Sequence, residues 1–154
     1  MPFDSVFKPF DRNATVENLR KAKGMIQDQG CWCQGVWSMV NHHGALAAPT
    51  VSRMSCAADA VHCAVYGFDW NQAIAGLSSR QSEARLKLFS LRPEIQALAR
   101  STSTFTARPY SKMMHKSAMA VCVVTLFNDH ETHADVMELF DRAITYAREA
   151  HHAV

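Results

Sequence analysis

Two short clusters in the sequence combine side chains that can recognise a small ligand. Trp32, Gln34 and Trp37 lie close together in the chain, and Asn128 and Asp129 follow a long apolar run. Indole rings stack on flat ligands, and amide and carboxylate groups bond to hydroxyl or amine groups. We therefore predict that these five residues bind a ligand. An alternative is that Asn128 and Asp129 bond to local backbone amides and shape a turn, as Asn and Asp side chains often do.

The segment 101–116 adds positive charge to this picture. It contains Arg108, Lys112 and Lys116 but neither Asp nor Glu. Guanidinium and ammonium groups bind phosphates and carboxylates, so we add Arg108 and Lys112 to the predicted ligand-binding residues. The formal net charge of the whole chain is only +2 at pH 7, which does not favour a nucleic-acid backbone as the partner. A compact anionic ligand is the better match.

Five cysteines and eight histidines raise the question of a metal site or a nucleophile. A cysteine hydrolase could use Cys33 if a histidine activated its thiol. A zinc site needs four converging ligands, and the Cys31-x-Cys33 spacing is shorter than that of a usual zinc knuckle. The sequence has none of the common motifs of nucleotide hydrolases, dinucleotide-binding proteins, zinc proteases or serine hydrolases. We predict no catalytic residue, no metal ligand and no cofactor, and we keep a cysteine- or zinc-dependent hydrolase as an alternative.

The length and composition of the chain fit one globular domain. It has 154 residues, of which 48% are hydrophobic and 19% are charged, so fibrous and disordered classes do not fit. No apolar run reaches the roughly 18 residues of a membrane span, and the start of the chain lacks the basic and apolar regions of a signal peptide. We expect a cytoplasmic protein with reduced cysteines and no membrane partner.

Hydrophobic periodicity predicts a mainly α, compact single domain of five or six helices, with room for one or two short strands. Residues 1–14, which contain three phenylalanines, are expected to form an extended aromatic arm, and residues 15–154 a single helical domain. The first helix is predicted to have Thr15 or Asn13 as its N-cap and to stop at Gly30.

The later elements differ in how strongly the sequence specifies them. Residues 54–66 are rich in Ala, Cys and Val, so we predict a closely packed central helix that ends at Gly67. The apolar run 119–127 fits a buried strand or a buried helix, and we favour a helix because the sequence offers no second clear strand. Thr132 and Asp135 predict a capping box for an amphipathic final helix, which we expect to cover the central helix.

Three motifs resemble those of an uncharacterised family of small actinobacterial and phage domains. They are W-C-Q-G at Trp32–Gly35, C-A-x-x-A at Cys56–Ala60, and (W/F)-N-D at Phe127–Asp129. The resemblance implies a similar order of elements and a phage origin. It implies no reaction.

Together these features predict a non-enzymatic, phage-encoded binding protein that sequesters a small anionic, nucleotide-derived ligand and so counters host defence. It would act in the host cytoplasm. One alternative is an inhibitor that docks onto a host defence protein through the aromatic arm of residues 1–14, and another is the hydrolase described above. The arm and the small-residue helix also suit a homodimer, whereas nucleic acid is not an expected partner.

Overall fold

The computed structural model describes residues 11–43, 50–105 and 119–149. Within these ranges the chain forms seven α-helices and one two-stranded antiparallel sheet. The helices are α1 (Arg12–Ile26), α2 (Ala57–Tyr66), α3 (Trp70–Ile74), α4 (Ser79–Ser90), α5 (Pro93–Ser101), α6 (Ala120–His130) and α7 (His133–Glu149), and the strands are β1 (Ser38–His43) and β2 (Thr50–Ser55). The prediction of a mainly α domain with one or two short strands is confirmed. The seven α-helices within the described ranges exceed the predicted five or six.

Helix α1 begins earlier than the sequence predicts. Its N-cap is Asp11, whose carboxylate accepts hydrogen bonds from the amides of Asn13 and Ala14, so neither Thr15 nor Asn13 is the cap. Aspartate is among the best N-cap residues because its side chain satisfies amides that lack intrahelical partners. Most of the predicted arm, residues 1–10, lies outside the described residues.

Helix α1 also ends before the predicted stop. Its last residue is Ile26, and Gly30 lies in a separate 3₁₀ turn, Gln29–Cys31. The Asp28 carboxylate accepts a hydrogen bond from the Gly30 amide at 2.8 Å. Such a local side-chain bond competes with continuation of the helix, so the prediction that Gly30 is a left-handed cap is wrong.

Helix α2 is almost entirely buried, as expected for a central helix. All residues from Ala57 to Ala64 are buried. The helix starts after the predicted position because Met54 belongs to β2, where it pairs with Met39 of β1. Gly67 ends the helix, which confirms the predicted stop, and its φ of 84° is the left-handed conformation that glycine adopts without strain.

Helices α1 and α6 pack against α2, together with strand β2. The final helix α7 packs mainly against α1 and α5, so the prediction that it covers α2 directly is wrong. Since α1 and α6 already occupy faces of α2, the apolar stripe of α7 is buried against the outer helices. This arrangement leaves the polar faces of α1 and α7 side by side.

Helix α6 accounts for the ambiguous apolar run, since it packs between helices and has few faces open to solvent. Its buried residues include Val123, Val124 and Phe127.

Helix α7 begins with the predicted capping box. The Thr132 hydroxyl accepts a hydrogen bond from the Asp135 amide at 3.1 Å, and the Asp135 carboxylate accepts one from the Thr132 amide at 3.4 Å, which confirms the prediction.

Candidate functional site

Several of the predicted ligand-binding residues meet around Asn128, at the end of α6. Asn128 is fully buried. Its Oδ1 accepts hydrogen bonds from Trp32 Nε1 at 2.7 Å and from the Ala57 amide at 3.0 Å, and its Nδ2 donates to the Cys33 carbonyl at 2.9 Å. The Ala57 amide is at the start of α2, where no intrahelical carbonyl can accept its hydrogen bond. Asn128 therefore ties α6 to the start of α2 and to the Trp32 loop.

Gln34 and Asp129 strengthen the same connection. Gln34 Nε2 donates to the carbonyls of Asn128 at 3.0 Å and Glu131 at 2.9 Å. The Asp129 carboxylate accepts from the Gly35 amide at 2.8 Å, at a turn where Gly35 has a φ of 78°. We call the group of Trp32, Gln34, Asn128 and Asp129 the Asn128 clamp.

The clamp uses the hydrogen-bonding capacity of Asn128 inside the protein. A primary amide offers two acceptor lone pairs and two donor hydrogens, and both acceptor positions are occupied by Trp32 and Ala57. The bonds to Trp32, Ala57 and Gly35 join distant parts of the chain, so they differ from the local, turn-shaping bonds that the sequence left open for Asn128 and Asp129. A ligand-binding role for the clamp residues stays a prediction.

The Trp37 ring makes aromatic contacts of its own. It stacks on Trp70 with centroids 4.7 Å apart and tilts toward Phe89 at 6.2 Å. A ligand-binding role for Trp37 stays a prediction. The other two predicted ligand-binding residues, Arg108 and Lys112, lie outside the described residues.

The buried cysteines have the electrostatics of neutral thiols. Burial, followed by the negative charges of Asp59 and Asp129, raises the pKa of Cys33 to about 11. Burial also raises the pKa of Cys63 to about 11 and that of Cys56 still further. A thiolate nucleophile needs the opposite shift. Among the side chains that the structure describes, no three of His, Cys, Asp or Glu are grouped to hold a metal ion.

A wide groove of about 790 Å³ lies between α5 and α7. Its lining includes two basic residues, Arg100 and Arg142, and three acidic residues, Glu138, Asp141 and Glu149. Arg142 is already paired with Glu138 and also lies over an aromatic ring. Because its lining mixes acidic and basic side chains, this groove does not favour the binding of an anion.

A second groove lies between α7 and α1, and it shares Asp141 and Thr145 with the first groove. Arg12 Nη1 donates to the Arg148 carbonyl at 3.4 Å, and Lys23 Nζ pairs with Asp141 at 2.8 Å. The start of α1 therefore lies beside the end of α7, so the two helices run antiparallel. Arg20 lies between these two contacts and lines the groove with Arg148. We call the groove lined by Arg12, Arg20, Lys23 and Arg148 the basic groove.

Positive charge exceeds negative charge in the basic groove. Its carboxylates are Glu17, which lies 3.8 Å from Arg20, and Asp141, which pairs with Lys23. Among the ion pairs of the described residues, neither Arg12 nor Arg148 has a carboxylate partner. Guanidinium groups bind phosphate and carboxylate oxygens through paired N–H donors. The basic groove is thus the described feature best suited to an anion.

Sequence reasoning missed this groove. Arg12, Arg20 and Lys23 recur at intervals of eight and three residues, which places them on one side of a helix, so part of the signal was present. Arg148 is far away in the sequence, and only the packing of α7 against α1 brings it to the same groove.

The chain was compared with protein-family models, curated proteins and solved structures. Residues 11–146 match the model of DUF6197, described as a family of unknown function. No curated protein and no solved structure matches the chain. No helix in the described part of the chain combines the length and apolar character needed to cross a membrane.

Proposed function

We propose that this chain, which belongs to the DUF6197 family, is a non-catalytic binding protein that captures a small anionic ligand in the basic groove. The observation that carries the proposal is the convergence of four cationic side chains from two helices around a groove with two carboxylates. An anion binds most tightly where rigid elements already hold several hydrogen-bond donors in position. Helices α1 and α7 provide such elements.

The electrostatics of the groove favour an anion from solution over internal pairing. Arg20 is 49% exposed and its partner Glu17 is 76% exposed, so their ion pair is weak and exchanges with water. Arg12 is held near the end of α7 by its bond to the Arg148 carbonyl, which also places it close to Arg148. A phosphate or carboxylate that enters the groove can replace weak solvent contacts with charge-assisted hydrogen bonds.

Two features support binding without catalysis. The raised pKa of Cys33 keeps its thiol protonated at neutral pH, which opposes a hydrolase mechanism that uses this residue. The amide of Asn128 and the carboxylate of Asp129 are engaged with Trp32, Ala57 and Gly35. These bonds give both side chains a role in holding the fold together.

The biological role that we propose is the sequestration of a nucleotide-derived ligand by a phage-encoded protein in the host cytoplasm. Its support is the resemblance stated for the three sequence motifs and the basic segment that contains Arg108 and Lys112. Native mass spectra of the purified protein before and after incubation with a bacterial nucleotide extract will test it. A mass increase that matches a nucleotide supports this role, and an unchanged mass contradicts it. The same spectra count the subunits and test the expected homodimer.

Calorimetric titration with inorganic triphosphate tests the binding proposal directly. We expect binding to the full chain, and at least about tenfold weaker binding to the double variant Arg20→Gln/Arg148→Gln, because each charge-assisted hydrogen bond contributes about 1.5–3 kcal/mol. The control is Arg80→Gln/Lys87→Gln, which removes the same net charge from exposed positions on α4. Equal weakening in both double variants, or no binding to the full chain, contradicts the proposal.

A further inference from the structure

The basic groove consists of two adjoining cavities with a shared wall. Arg20 and Arg148 line both of them. The first cavity, of about 470 Å³, extends toward Arg12 at the start of α1. The second cavity, of about 370 Å³, extends toward Gly24 and Gln27 at the other end of α1. A ligand that fills the groove must therefore have two parts, one on each side of the two arginines.

The two cavities differ in how their charges are paired. Both contain the guanidinium groups of Arg20 and Arg148, and each adds one further cation and one carboxylate, so their formal charges are equal. In the second cavity the added cation, Lys23, is neutralised by the carboxylate of Asp141 at 2.8 Å. In the first cavity the added cation, Arg12, has no carboxylate partner among the ion pairs of the described residues. The first cavity therefore suits the phosphates of a ligand better, and the second suits its uncharged part.

The second cavity also has the lining that an uncharged heterocycle needs. Ile144 supplies apolar surface, and Gln27 supplies an amide that can donate and accept hydrogen bonds. The Thr145 hydroxyl donates to the Asp141 carbonyl at 3.1 Å, so its oxygen remains able to accept. The guanidinium planes of the shared wall can stack on a flat ring.

Gly24 leaves open space in this cavity. A Cβ atom added at Gly24 would have no heavy atom within 4 Å. Glycine inside a helix costs roughly 1 kcal/mol of stability relative to alanine. At this position the missing side chain leaves room in the second cavity for part of a ligand.

We infer that the basic groove binds a nucleoside phosphate in one orientation, with the phosphates in the Arg12 cavity and the nucleobase in the Gly24 cavity. This inference rests on the proposed function, because it assigns the two ends of the same groove. It adds that the uncharged part of the ligand contributes to affinity and that the Gly24 cavity determines specificity.

Calorimetric titrations compare inorganic triphosphate with ATP, GTP, CTP and UTP as probes. We expect at least one nucleotide to bind the full chain tenfold or more tightly than inorganic triphosphate. In Gly24→Leu, which fills the second cavity, the affinity for that nucleotide should fall to the affinity for triphosphate, while triphosphate binding stays unchanged. Gln27→Ala should weaken nucleotide binding alone, and it provides a second variant at an exposed position.

The control for added bulk is Ala14→Leu, an exposed position on α1 outside both cavities, which should change neither affinity. Thermal unfolding verifies that each variant is folded, and leucine favours helix over glycine. If no nucleotide binds more tightly than triphosphate, or if Gly24→Leu binds nucleotides normally, the two-part site is overturned while anion binding stands. If triphosphate and all four nucleotides fail to bind, the proposed function fails as well.

Discussion

The Asn128 clamp and the basic groove show opposite uses of polar side chains. In the clamp, the buried amide of Asn128 bonds to Trp32, Ala57 and Cys33. In the basic groove, exposed cations such as Arg20 line open space and have weak internal partners. A buried polar group with satisfied bonds stabilises the fold, whereas a cation with unused donors can bind a ligand.

The comparison shows that residue type alone does not identify a site. The clamp residues drew attention because tryptophan, glutamine and asparagine are common in ligand sites, but the fold occupies their donors and acceptors. The groove residues look like ordinary helix-surface charges until two helices bring them together. Substitutions in the two regions should therefore affect stability and binding differently.

The largest loss of stability should come from Asn128→Ala. The substitution leaves the buried Trp32 Nε1 and the Ala57 amide without acceptors, and each unsatisfied buried donor costs about 1–3 kcal/mol. We expect urea unfolding to show a loss of about 3–5 kcal/mol in the free energy of unfolding. Asn71→Ala, an exposed asparagine bonded to Ser38, is the control and should lose less than about 1 kcal/mol. Similar losses for the two variants would remove the distinction between clamp and surface.

The next largest effect should be a pH dependence that arises from His62, outside both regions. His62 is fully buried, its Nδ1 bonds to the Phe68 carbonyl at 2.7 Å, and its Nε2 has no partner among the described residues. Burial, helped by the charge of Arg85, lowers the pKa of His62. Near pH 6.5 the imidazole of His62 therefore takes up a proton in the unfolded chain but stays neutral in the folded chain.

Because the folded-state pKa is the lower one, stability should fall as the pH drops below about 6.5, and the fall from this group should end near the folded-state pKa. The slope should be about 1.4 kcal/mol per pH unit. Urea unfolding of the full chain and of His62→Gln between pH 7.5 and pH 5 measures it. We expect the variant to show a smaller slope, and equal slopes would refute the assignment to His62.

A smaller loss of stability is expected for Gln34→Ala. Gln34 is exposed, but its Nε2 donates to the carbonyls of Asn128 and Glu131 near the end of α6. Loss of these bonds should cost about 1 kcal/mol in urea unfolding, less than Asn128→Ala because water can solvate the freed carbonyls. A loss as large as that of Asn128→Ala would mean that burial does not set the difference within the clamp.

The smallest change in stability should come from the groove itself. Arg20→Gln/Arg148→Gln should alter the free energy of unfolding by less than about 0.5 kcal/mol, because exposed ion pairs contribute little. Triphosphate binding should weaken steeply as the ionic strength rises, since salt screens exposed charges. A large loss of stability in this variant would assign the arginines to the fold, and salt-independent binding would contradict an electrostatic groove.

Local sequence patterns predicted the parts of the fold that depend on local bonds. Gly67 and the pair Thr132 and Asp135 act as predicted because their roles need only neighbouring residues. The N-cap of α1 was misplaced because Asp11 competes with Asn13 and Thr15 for the same role, and propensity alone does not separate them.

The candidate site depends on contacts between distant residues, which local patterns do not contain. The sequence identified Trp32 and Asn128 but not the bond between them, because it joins residues 96 positions apart. Similarly, Arg12 and Arg148 approach each other across 136 positions. Both contacts depend on how the helices pack, and sequence periodicity did not specify that packing.

The most direct test of the central claim is an NMR titration of the ¹⁵N-labelled full chain with inorganic triphosphate. The account predicts chemical-shift changes concentrated in the backbone amides of residues 12–27 and 141–149. The indole N–H of Trp32 and the side-chain amide of Asn128 should keep their shifts, because the clamp takes no part in binding. Shifts concentrated at Trp32 and Asn128, with the α1 and α7 amides unchanged, would contradict the account and place the ligand at the clamp.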